Sequence, residues 1–272
     1  MAEMSVIWLR VATALYSLGL LHAILTLVRK REHLFRVALS ALSIGAVLHC
    51  VSIVEEGLLM NHCPIANFYE TLSMCAFLIT GLFLFVYWRY KTESLSVFIF
   101  PLVFVMTLVA TLGNPVEAWT SPLVRNAWLS VHIVLVLLGF AALAFTAGAS
   151  LLYLFQEREL KRKKPRKLYY RLPPLGILDE LISRSMAVGF VLITLAVIAG
   201  CTWAFIELGT RWISQPAIAI SFVTWGGYLA MVFLRVTAGW RGRKAAIMVI
   251  VVVGLSALTW IAHARLGTLL QP

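Results

Sequence analysis

Charge is scarce in this chain, and acid is scarcer than base. Of its 272 residues 13% are charged, with 12 acidic side chains against 23 basic ones, and 61% are apolar. A soluble domain carries about 25% charged and about 45–50% apolar residues, so an ordinary water-soluble fold is excluded. Cysteine is equally sparse: Cys50, Cys63, Cys75 and Cys201 stand apart with no C-x-x-C pair. That spacing argues against both a thioredoxin-like redox motif and a zinc site. Period-two alternation is missing from stretches such as 97–112 and 245–262, which are apolar on every face, so a membrane β-barrel is excluded as well. The chain also lacks a repeat of fixed period, a low-complexity tract and acidic residues at the centres of its apolar blocks. With no paired broken helices either, a small-molecule transporter is disfavoured.

What is present is apolar sequence in blocks of membrane-spanning length, with a mean hydropathy of +0.91. A helix rising 1.5 Å per residue needs about 20 residues to cross about 30 Å of hydrocarbon. Eight blocks meet that requirement, at about 6–27, 34–54, 68–88, 95–113, 128–155, 185–206, 217–237 and 244–264. They predict an all-α polytopic membrane protein, residues 1–272 forming a single integral membrane domain of eight transmembrane helices. Acidic Glu3 and the absence of a basic stretch before the first block predict that this block stays as a helix and is not a cleaved signal.

The net charge is +11, and nineteen of the 23 basic residues lie in the odd-numbered connections or at the block ends that flank them. The positive-inside rule assigns those connections to the cytoplasm, which places both termini outside. The connection 156–184 holds nine basic residues and reads as a solvated strip against anionic lipid headgroups. Nucleic acid is not an expected partner.

With this topology His49, His62, His132 and His263 gather towards the outer face, whereas His22 and His33 lie towards the inner one. A histidine in a helical membrane protein can serve as an interhelical hydrogen-bonding residue, and ionisable groups at membrane depth are also candidates for function. Trp119, Trp128, Trp203, Trp212 and Trp225 lie on or near the same face. They suit an interfacial aromatic belt or a flat platform for a planar ligand held by histidine. Trp128 and His132, four apart, share one helix face. Asn67 and Glu70, three apart, have capping-box spacing. Gly239, Trp240 and Arg241 belong to a tight basic turn that reads as an orientation anchor.

Five segments carry a resemblance. The run P-I-A-N-F-Y-E at 64–70 resembles a P-x-x-N-x-Y-E segment, and A-W-L-S-V-H at 127–132 resembles a W-x-x-x-H opening of a long helix. The order L-P-P-L-G-I-L-D at 172–179, G-C-T-W at 200–203 and G-W-R-G-R at 239–243 is similar to the C-terminal half of the CcsA/CcmC-type cytochrome c assembly proteins. The resemblance covers about residues 40–265. It implies a haem-handling, multi-pass protein of a bacterial inner (plasma) membrane, which holds haem at the outer face and is not an enzyme on its own. Haem of the b type, bound transiently or stably, is the implied cofactor. His132 falls on one implied axial position and His263 near the other, while His49 falls where the family often carries an early histidine. Trp128, Trp203 and Trp212 are the implied packing residues. A partner subunit with a large outer domain and apocytochrome c are the implied partners.

The family's haem loop usually reads W-G-x-x-W-x-W-D-P-K, and residues 208–217 here read L-G-T-R-W-I-S-Q-P-A, keeping Trp212 and Pro216 but not the second tryptophan or the aspartate. Relatives of the HemX or YpjD kind share the eight-helix plan and lack that loop. They supply the alternative reading of an accessory scaffold that does not ligate haem.

Overall fold

The computed structural model describes residues 2–29, 32–60, 63–65, 67–113, 127–161, 173–208 and 216–269. These form eight α-helices: α1 (Ala2–Arg29), α2 (Glu32–Met60), α3 (Phe68–Tyr90), α4 (Ser96–Ala110), α5 (Ala127–Leu160), α6 (Leu175–Leu208), α7 (Pro216–Thr237) and α8 (Arg243–Leu269). One 3-10 turn, Glu93–Leu95, leads into α4, and no strand occurs among the described residues. Among those residues α1 to α6 are each long and apolar enough to cross a membrane. Their outward faces carry side chains such as Val47, 63% exposed, and Leu58, 78% exposed. Contiguous apolar exposure of this kind is rare in water and is what lipid requires. The chain is an all-α polytopic membrane protein.

It divides into two compact units, Met1–Ser130 with Tyr170–Leu172, and Val131–Tyr169 with Pro173–Pro272. In the first, α1 and α2 lie side by side along their lengths, and α4 packs on α1 and α3. Phe35, Leu42, Ile79, Phe83, Ile99 and Phe100 fill its core, with Phe83 and Phe100 edge to face at 5.3 Å. Helix α3 begins at Asn67, whose Oδ1 accepts from the Glu70 N–H at 2.8 Å while its Nδ2 donates to the Glu70 carboxylate at 2.7 Å. It ends at Lys91, whose left-handed φ of 52° turns the chain back and lets its N–H donate to the Tyr87 carbonyl.

In the second unit α5 and α6 run antiparallel, a register fixed by side chains. Thr146 and Ser185 share a hydroxyl hydrogen bond of 2.8 Å, and His132 reaches the opposite end of the pair at Ala196. Tyr228 of α7 donates to the Gly139 carbonyl at 2.9 Å, and Trp225 donates to Thr194 at 3.1 Å. Helix α6 starts at Leu175, ten residues before the apolar block that marks it in the sequence. The stretch 175–184 is helical despite its charges because each has a partner. Glu180 pairs with Arg184 one turn on, and Asp179 pairs with Arg235 of α7.

Candidate functional site

His132 lies on the second turn of α5, and its ring is seated against α6. Nδ1 is 2.7 Å from the Ala196 carbonyl oxygen. A carbonyl only accepts, so Nδ1 carries the ring proton and Nε2 of the neutral imidazole keeps its lone pair. No partner for Nε2 occurs among the described residues. This is the arrangement seen in metal-ligating histidines, where a hydrogen bond at one nitrogen fixes tautomer and ring orientation for the other. The close approach depends on Gly200: a Cβ there would stand 2.6 Å from His132 Cε1 and 2.7 Å from Nδ1. Ala196 and Gly200 are one turn apart on α6 and together make the seat.

Trp203 is the next residue along the same α6 stripe, seven positions after Ala196. Side chains on a helix lean towards its N-terminus, the side of Trp203 on which Gly200 lies. The residue is half-buried, and its Nε1 is buried with no acceptor among the described residues. Trp128, one turn before His132 on α5, is 48% exposed. His263 lies in α8, where its backbone alone is described. Trp212, with Trp119 and His62, lies outside the described residues. One helix pair therefore carries His132 and, a turn beyond the glycine that seats it, Trp203.

His49 has a different setting. It is wholly buried in the first unit, with Nδ1 3.3 Å from the Tyr16 hydroxyl and Nε2 2.8 Å from the Ser73 hydroxyl. Both nitrogens are engaged, and Phe77 meets the ring edge-on at 5.6 Å. Such a histidine joins α1, α2 and α3 and offers no lone pair to a ligand in this arrangement. Ser73 also lines a cavity of about 40 Å³ at that end of the unit, together with Ser52, Glu56, Asn67 and Glu70. Beside it, burial and then the Glu70 charge push the Cys63 thiol up, which keeps it protonated. All four cysteines are thiols.

At the other end of the second unit stands an arrangement with no local sequence signal. Arg235 places NH2 2.9 Å from Asp179 Oδ2 and donates from Nε to Ser183 at 3.0 Å. Asp179 Oδ1 accepts from the Gly242 N–H at 3.2 Å. The α7–α8 turn is thereby tied to α6, with Gly239 and Gly242 at φ of +63° and +61° supplying left-handed corners. Trp240 lies under the Lys244 ammonium at 5.8 Å, and Arg241 is exposed. Arg235 reads in the sequence as one more inside charge; its 52- and 56-residue separations from Ser183 and Asp179 hide its role.

Comparison with known proteins gives the family. The family described as cytochrome C assembly protein matches residues 8–264. The cytochrome c biogenesis protein CcsA of Prochlorococcus marinus strain MIT 9301 is 28% identical over 248 residues, covering 80% of this chain and 78% of that protein. The protein of the same name from Prochlorococcus marinus strain AS9601 is 30% identical over 217 residues, 69% of this chain and 68% of its own length. That of Microcystis aeruginosa strain NIES-843 is 27% identical over 260 residues, covering 78% of each chain.

Proposed function

Because this chain belongs to the cytochrome c assembly protein family, we propose that it binds haem as cargo for cytochrome c biogenesis and holds it at the outer face of its membrane. The observation that carries this reading is the His132 seat, in which the Ala196 carbonyl takes the Nδ1 proton and Gly200 admits the ring, leaving Nε2 as a ligand. Neutral imidazole suits haem iron. His132 and His263 would hold the haem iron, and Trp203, Trp128 and Trp212 would pack against the ring. Apolar burial against those rings contributes about 25 cal/mol per Å² removed from water.

Haem, once bound, supplies iron and vinyl groups, and apocytochrome supplies the thiols that add to them. The residues of this chain orient the ring and keep water from it. The membrane proposed is a bacterial inner membrane, with eight crossings, both termini outside and a partner subunit contributing a large outer domain. His49 acts as an interhelical residue.

The test is a visible spectrum of the protein purified in mild detergent and supplied with haem. Wild type should show a Soret band that His132→Ala loses and His49→Gln keeps. A wild-type preparation that takes up no haem would overturn the proposal and favour the accessory-scaffold alternative.

A further inference from the structure

The unexplained atom in this region is Trp203 Nε1. A buried N–H without an acceptor costs free energy, and such groups call for an account of what completes them. It has no acceptor among the described residues, although nearby side chains on the same helices are paired: Thr194 accepts from Trp225, and His132 donates to Ala196. On α6 Trp203 stands about one turn beyond Gly200, the residue against which the imidazole is seated. The seat thus offers a lone pair for a metal, and the neighbouring turn of α6 holds a covered hydrogen-bond donor with no acceptor among the described residues.

The geometry points to Trp203 as a hydrogen-bond donor to a carboxylate of the bound ligand, so that the site selects a metal complex bearing an anionic side chain and not a bare apolar ring. This rests on the haem reading above and goes beyond it, since packing alone needs only the indole face. Haem carries two carboxylates on flexible arms, and a donor to a charged acceptor makes the stronger class of hydrogen bond. Because Nε1 is covered, the carboxylate must displace what lies over it or the ring must rotate on loading. The residue as a whole is half-buried and not enclosed.

Equilibrium titration of the detergent-purified full chain with haem and with haem dimethyl ester, in which both carboxylates are capped, tests the inference. Wild type should bind haem about tenfold more tightly than the ester, the effect of one hydrogen bond to a charged group. Trp203→Phe should lose that preference by weakening haem alone, with the Soret position unchanged because the iron ligand is untouched. Equal binding of haem and ester by wild type would overturn the inference without any variant, and leaves the haem reading standing. Equal weakening of both ligands in Trp203→Phe would reduce the residue to a packing role and overturn it too. Wild type that binds neither ligand would overturn the haem reading and the inference with it.

Discussion

At the scale of single residues, two histidines that look alike in the sequence differ in what their nitrogens do. His49 spends both on Tyr16 and Ser73 inside a buried helix junction, whereas His132 spends one on Ala196 and keeps the other. Their places along the helices were legible from the lengths of the apolar blocks. The hydrogen-bond state was not, because it depends on a carbonyl 64 residues away and on the helix register that brings it near. Gly200 belongs to a recognisable motif, yet its purpose appears only when a Cβ is placed against the imidazole ring. Gly200→Ala is expected to push the ring off the Ala196 carbonyl and to weaken haem binding by about tenfold or more, the loss of one hydrogen bond together with displaced geometry. Helix content by circular dichroism should be unchanged. Unaltered affinity in that variant would show that the seat does not position the ligand.

At the scale of elements, apolar blocks located the helices well and their charged ends poorly. A hydropathy reading ends a helix where charge begins, so it stops at 185 and misses the first turns of α6. Those turns persist because Asp179 has Arg235, Ser183 bonds the same guanidinium, and Arg184 has Glu180. The Asn67 and Glu70 cap of α3 was readable because its partners are three residues apart. The Asp179 and Arg235 pair, 56 apart, was not. Their side chains are only 24% and 10% exposed, and Asp179 also holds the Gly242 N–H. Removing one partner strands the other, so Arg235→Ala and Asp179→Ala should each cost about 2 kcal/mol. The double variant should cost clearly less than the sum, since both remove one shared network. Thermal unfolding in detergent reads the values, and proteolysis should cut first at the loosened 238–242 turn. Additive costs would mean that the pair is not a working clamp.

At the scale of the whole molecule, the helical, membrane-embedded class and the assembly-protein family were both legible, the first from composition and block length and the second from motifs in order. The division into two compact units was not, because nothing in the sequence marks a linker at the start of α5. Orientation is a proposal from charge alone, and cysteine labelling checks it. In a cysteine-free background, a membrane-impermeant maleimide added to intact cells should modify His62→Cys and leave Arg241→Cys untouched, and the reverse pattern would invert the topology. The claim on which the rest depends is that His132 Nε2 ligates haem iron. The most direct measurement is the visible spectrum of haem-supplied His132→Ala before and after imidazole is added. Loss of the Soret band with its return as imidazole fills the vacated position is the result expected, and an unchanged band in His132→Ala without imidazole would contradict it.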